Sequence, residues 1–137
     1  VFSIAFISLV ILVNNYLKIL KTAKDIIIAN FLAQEGLELV IAKRNINKVQ
    51  RNSWFYDLSY NKFCIDVNLI PQESNDPCQL YLNNNNQFVH DSSGTPTLFS
   101  RLIILDKSTD IATVTSMVVY SENQEIKLET VITDWLP

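Results

Sequence analysis

The sequence predicts an α+β protein in which one long N-terminal helix packs on a small antiparallel β-sheet. Residues 1–52 contain no proline and a single helix breaker, Gly36. After Asn52 the chain changes to short runs of alternating or β-branched residues, separated by Asn, Asp, Ser and Pro. Helices and strands do not alternate, which favours α+β over a parallel α/β fold. With 137 residues and 48% hydrophobic content, the chain suits one domain with an appendage.

The first 17 residues carry no charge and form the apolar part of the predicted helix. A membrane span needs about 20 residues, so this run is short for a complete span. We therefore expect the span to begin upstream of Val1; the hydrophobic region of a signal peptide is the alternative. The apolar residues expected to contact the membrane are Val1, Phe2, Ile4, Phe6, Ile7, Leu9, Val10, Ile11, Leu12, Val13 and Leu17.

Residues 18–52 form the amphipathic part of the predicted helix, which as a whole would be roughly 75 Å long. Within it Ala29, Ala33 and Gly36 are spaced by four and three residues. Such a stripe of small residues lets a sheet or another helix approach the backbone closely. Since glycine inside a helix costs about 1 kcal/mol relative to alanine, we favour close packing over the alternative of chance.

Residues 53–137 are predicted to form an antiparallel β head. The asparagine run 83–86 predicts a hairpin turn, because asparagine tolerates the left-handed backbone conformation. The segments LDKSTDIA and YSENQEI predict two further tight turns. The predicted strands are 62–69, 79–82, 86–89, 98–106, 111–120 and 125–134.

The two cysteines of the chain, Cys64 and Cys78, are most simply a disulfide that closes the loop 64–78. A loop of this size would contribute about 3 kcal/mol of stability in the chain-entropy model. Two buried free thiols are the alternative. A zinc site is poorly supported, because His90 is the single histidine and there is no CxxC motif.

No motif in the head predicts catalysis, a metal or a cofactor. The run His90-Asp91-Ser92-Ser93 suggests a triad in composition, but it consists of turn-forming residues and triads are defined by geometry. A calcium site at Asp106 and Asp110 is a minor alternative to solvated turn residues. No phosphate-binding glycine loop is present, since Gly94 is the single glycine of the head. We therefore expect no enzyme.

Charge is divided between the two parts of the chain. Residues 1–50 carry six basic and three acidic residues, net +3, whereas residues 51–137 carry five basic and eleven acidic residues, net −6. Two interpretations of this division are open: the basic part of one copy would attract the acidic part of another, or both would be ordinary solvated surfaces. Neither is basic enough to predict nucleic-acid binding. Lys18, Lys21 and Lys24 alone would hold the head in the cytoplasm, but the expected disulfide favours export, with upstream residues outweighing these lysines.

Three stretches resemble the type IV pilins and related prepilin-type pseudopilins of bacteria. IIIANFLAQEGLELVIAKRN followed by NSWF is similar to the AxxLAQEGIExVRxxRDxNW stretch of prepilin-type proteins, particularly those of small-genome candidate lineages. LYLNNNNQFVHDSSGTPTLFSRLIIL resembles their paired short strands before a TPFxR-like segment, and VITDW resembles their last strand. The family's prepilin-peptidase site and assembly glutamate match no residues here, and we expect them upstream of Val1.

The resemblance implies a structural subunit of a type IV pilus-like extracellular filament with a methylated N-terminus. The chain would be stored in the cytoplasmic membrane, handled by the pilus assembly machinery and packed as a helical homo-oligomer, with the apolar residues named above in the filament core. Loops 71–78, 83–87 and 90–97 would face outward for adhesion, surface contact or motility. A minor pilin or secretion-system pseudopilin, and a membrane-anchored binding module that never polymerises, are the alternatives.

Overall fold

A computed structural model describes residues 2–134, and it has the predicted α+β fold: one long N-terminal helix packed on an antiparallel sheet. The helix α1 spans Phe2–Val49 without interruption. The strands that follow within the described residues are β1 (Lys62–Cys64), β2 (Gln72–Glu73), β3 (Cys78–Leu82), β4 (Phe88–Val89), β5 (Thr95–Lys107), β6 (Ile111–Tyr120) and β7 (Glu125–Thr133).

The sheet is organised around β5, its longest strand. One side of β5 pairs with β6 over nine residue pairs, and β6 pairs in turn with β7. Two short strands share the other side, β3 along the N-terminal half of β5 and β1 along its C-terminal half. β4 pairs with the other side of β3, and β2 pairs with the other side of β1. All of these pairings are antiparallel. The three long strands β5, β6 and β7 form the part of the sheet that contacts α1.

The strand predicted at 62–69 is wrong beyond Cys64, because the chain turns there. The Asp66 carboxylate accepts the backbone N–H of Asn68 at 2.9 Å, which closes a local turn. Leu69 has a φ of 57°, a left-handed conformation that ends an extended strand. After this turn the chain runs back and forms β2. Its two residues are both polar, so no alternating pattern predicted this strand. The strand predicted at 111–120 has the predicted ends, and the other predicted strands are present with shifted ends.

The C-terminal half of α1 packs on β5, β6 and β7, and its N-terminal half contacts no other part of the described chain. Residues 3–24 are all exposed. One buried cluster lies mid-helix, where Ala29, Leu32 and Ala33 meet Phe99 and Val118. A second lies near the helix end, and its members are Val40, Trp54, Leu58, Phe63, Ile65, Ile103, Leu105, Ala112, Val114 and Ile132.

Helix α1 ends in a tight C-terminal cap without glycine. The N–H of Asn52 donates to the carbonyl of Asn47, and the N–H of Arg51 donates to the carbonyl of Lys48, both at 2.9 Å. Arg51 adopts a φ of 60°, the left-handed conformation that this motif requires. The buried Asn47 amide also donates to the carbonyls of Trp54 and Tyr56. The cap therefore fixes the direction of the loop that follows the helix.

Candidate functional site

The N-terminal part of α1 is an apolar surface without a partner in the described chain. We call residues 3–17 the apolar segment. An 18-residue window of α1 has a mean hydropathy of 1.8 and none of it is buried, so the helix is long and apolar enough to cross a membrane. Val1 lies outside the described residues, and of Phe2 the helical backbone alone is described. The other predicted membrane residues are all exposed: Ile4, Phe6, Ile7, Leu9, Val10, Ile11, Leu12, Val13 and Leu17.

The exposed apolar surface continues on the C-terminal side of the apolar segment, along the face of α1 that points away from the sheet. Leu20, Ile27 and Phe31 recur there at helical spacing. Phe31 is 67% exposed, whereas its neighbour Leu32 is 1% exposed and lies in the core. Phe31 therefore lies at the level of the head while remaining uncovered by it.

The small-residue stripe faces the sheet of the same chain. Ala29 and Ala33 are completely buried. A β carbon on Gly36 would lie 2.3 Å from the Ser116 hydroxyl oxygen and 3.0 Å from Cδ of Arg101. Contacts under 3.0 Å do not occur between real β carbons and their neighbours, so β6 reaches the helix here because residue 36 has no side chain. Gly36 is therefore a point of close approach between α1 and the sheet.

Arg101 on β5 is the main polar contact between sheet and helix, and sequence reasoning missed it. Its side chain is fully buried. One guanidinium nitrogen donates to the carbonyl of Leu32 at 3.0 Å and lies 3.2 Å from the Glu35 carboxylate, and the other donates to the carbonyl of Ile65 at 2.8 Å. Burial lowers the pKa of Arg101 and Glu35 opposes that shift; arginine nonetheless stays charged.

A sequence signal for Arg101 does exist. Phe99, Arg101, Ile103 and Leu105 alternate along β5, so the period of two places Arg101 on the same face as three core residues. A charged residue at such a position needs a partner, and the half-exposed Glu35 on the facing helix supplies it.

Cys64 and Cys78, the pair expected from the sequence, form a disulfide with a Cα–Cα distance of 6.1 Å. The bond joins the end of β1 to the start of β3, the two short strands that share one side of β5. It closes the segment 64–78, which contains the turn after β1 and the short strand β2. The disulfide therefore fixes the loop-rich edge of the sheet.

His90 and Asp91 have separate partners rather than forming a relay. Nδ1 of His90 lies 3.0 Å from the carbonyl oxygen of Gln79, which places the ring proton on that nitrogen. Asp91 accepts both the N–H and the hydroxyl of Ser93. Both hydrogen bonds lower the pKa of Asp91, the Ser93 N–H by the larger amount and the Ser93 hydroxyl by the smaller. No group of three His, Cys, Asp or Glu side chains in residues 2–134 could hold a metal, Asp106 and Asp110 included.

No family model, curated protein or solved structure matches this chain. A long N-terminal helix, uncovered along its apolar half and packed on an antiparallel sheet with a disulfide, is compatible with a pilin-like fold.

Proposed function

We propose that this protein is the structural subunit of a type IV pilus-like extracellular filament. In the proposed cycle, the apolar segment holds the chain in the cytoplasmic membrane, and the pilus assembly machinery transfers it into a helical polymer. Helices of neighbouring copies then replace the lipid around the apolar segment. The heads form the outer surface, where they serve adhesion, surface contact or motility.

The observation that carries this proposal is the length of the exposed apolar surface on α1. From Ile4 to Phe31 it extends for about 40 Å along the helix axis, at 1.5 Å per residue. The hydrocarbon core of a bilayer is about 30 Å thick. Lipid would therefore cover the apolar segment but not Phe31, which lies beside the folded head. The helix of a neighbouring copy would cover both the apolar segment and Phe31. The exposed position of Phe31 therefore supports a polymer over a membrane anchor that needs lipid alone.

The test compares surface filaments made by three forms of the chain in source cells that lack their own copy. Phe31→Asp places a carboxylate on the exposed face of α1, where a neighbouring helix would bury it without a partner. Asn84→Asp adds the same charge at an exposed position of the β3–β4 turn, outside the helix, and is the matched control. Sheared and membrane fractions are compared with an antibody to the head.

We expect the wild type and Asn84→Asp in the sheared fraction, and Phe31→Asp retained in the membrane with its disulfide intact. Equal shearing of all three forms would contradict helix-mediated assembly. Retention of all three in the membrane would favour the anchored binding module. Membrane retention of all three together with a secretion defect in cells lacking the chain would favour the secretion-system pseudopilin.

A further inference from the structure

Two open hollows share Tyr60 in their linings, in the part of the head that lies beside the C-terminal end of α1. The first has a volume of about 360 Å³ and is lined by residues that include Asp57, Leu69 and Ile70. The second has a volume of about 410 Å³ and is lined by Asn61, Lys62, Glu73 and Asn75. Ser59 and Tyr60 line both. We call the two neighbouring hollows together the Tyr60 trench; each has a volume within the ~300–1,000 Å³ range of small-ligand pockets.

One wall of the Tyr60 trench is held by contacts from the sheet and the helix. The N–H of Leu105 donates to the carbonyl of Asn61 at 2.8 Å, and the ammonium of Lys107 donates to the carbonyl of Ser59 at 2.9 Å. Lys43 of α1 forms an ion pair of 3.2 Å with Asp57. The loop that carries Tyr60 is therefore tied at three successive points.

A second wall of the trench belongs to the disulfide-closed segment. Glu73 is paired with Phe63 in the β1–β2 ladder, and the Cys64–Cys78 bond closes the segment behind it. Both walls are therefore positioned before any ligand arrives, which lowers the entropy cost of binding.

The chemistry of the trench combines one aromatic ring with unused polar groups. Tyr60 is 36% exposed and lines both hollows, so it is the aromatic residue available to a ligand in the trench. Within residues 2–134, the side chains of Asn61, Glu73 and Asn75 have no hydrogen-bond partner, although they lie along the trench. A sugar ring presents an apolar C–H face, which stacks on an aromatic ring, and peripheral hydroxyls, which pair with amides and carboxylates.

Charge selects among polar ligands. The charged residues of the trench are Lys43, Asp57, Lys62 and Glu73, two of each sign. A site for nucleic acid or another polyanion would carry an excess of positive charge. The balance here favours an uncharged ligand that is rich in hydroxyl groups.

We propose that the Tyr60 trench binds a neutral glycan, with one sugar stacked on Tyr60 and the adjoining sugar in the hollow beside Glu73 and Asn75. Binding uses the head together with Lys43 near the C-terminal end of α1, and it does not depend on filament assembly. Along the helix axis Lys43 lies about 40 Å from Leu17, so the trench is well clear of the membrane. A head with this site would attach the cell to a carbohydrate surface.

The test uses the full chain in a detergent without a sugar head group. Neutral oligosaccharides on an array are screened first, and the bound ones are examined by saturation-transfer NMR and titration. Tyr60→Ala removes the ring, and Tyr60→Phe keeps the ring but loses the hydroxyl. Tyr56→Ala is the matched control, since Tyr56 is 54% exposed and lines neither hollow. Tryptophan fluorescence and disulfide content verify that each variant folds.

We expect wild type and Tyr56→Ala to bind the same neutral glycans, and Tyr60→Ala to bind them roughly tenfold more weakly. Tyr60→Phe should retain most of the affinity, so the ring can be tested even if Tyr60→Ala fails to fold. Absence of neutral-glycan binding, or equal binding by wild type and folded Tyr60→Ala, would overturn the proposal. Protection of Tyr60 in filaments without glycan binding would assign the trench to a subunit contact instead.

Discussion

The hydroxyl oxygen of Ser116 lies 2.3 Å from the position that a β carbon would take on Gly36. This relationship explains why a long helix keeps a residue that costs about 1 kcal/mol there. At residue 36 the sheet approaches α1 so closely that even a β carbon would not fit without a shift of its neighbours. The same approach brings Arg101 within reach of the Leu32 carbonyl and Glu35, which connects the glycine to the main polar contact of the interface.

Gly36→Ala should lower the free energy of unfolding by about 1–2 kcal/mol despite the better helix propensity of alanine, because overpacking outweighs that gain. Ser116→Ala alone should be close to neutral, since the Ser116 hydroxyl is buried without a partner among the described residues. The double variant should recover part of the loss. Denaturant unfolding of the full chain in micelles measures all three, and strictly additive effects would contradict the contact.

Arg101→Lys should lower the free energy of unfolding by about 2–4 kcal/mol, because one ammonium cannot serve the carbonyls of Leu32 and Ile65 together. Lys127→Gln is the control, since Lys127 pairs with Glu125 on the exposed surface and such pairs contribute about 0–1 kcal/mol. The same unfolding measurement compares them. Similar effects of the two substitutions would refute the assigned role of Arg101.

Replacement of Cys64 and Cys78 by serine should cost about 3 kcal/mol, because the unfolded chain then regains the freedom of the 64–78 loop. Reduction of the wild type should produce a similar loss, whereas a reducing agent should leave the double variant unaffected. Unfolding curves with and without the reducing agent measure both effects. A wild type that is equally stable under both conditions would show that the bond does not stabilise the head.

Asp91 should titrate below its ordinary pKa of 3.8, because the ionised carboxylate accepts the Ser93 N–H and hydroxyl. Its ionised form therefore contributes stability above the unfolded pKa, and that contribution is lost as the pH falls through the lower folded value. Ser93→Ala should raise the pKa part of the way, since the larger backbone contribution remains. Ser92→Ala should leave it unchanged. The pH dependence of the Asp91 carboxyl carbon in NMR tests this, and a midpoint unaffected by Ser93→Ala would contradict it.

The long helix and the three long strands were predictable, because their patterns are local. Hydrophobic periodicity separates α1 from the strands, and β6 alternates buried and half-buried or exposed residues along its whole length. The short strands were not predictable in the same way. β2 has two polar residues and exists because β1 pairs with it, and the strand predicted through Leu69 fails because Asp66 closes a turn.

The candidate sites differ in the same way, between those visible in the local sequence and those that the fold assembles. The apolar segment is visible in composition alone, whereas the function of Gly36 depends on which strand faces it. The Tyr60 trench joins Lys43 of the helix, the loop before β1 and the segment closed by the disulfide. Residues so distant in sequence leave no common pattern, and the fold alone brings them together.

Cryo-electron microscopy of filaments sheared from source cells tests the filament proposal most directly. The account predicts a core of parallel helices, with density for the side chains of the apolar segment and with Phe31 packed against a neighbouring copy. The heads should form the outer surface and leave Tyr60 open to solvent. Filaments built from another protein, with this chain confined to the membrane fraction, would contradict the account.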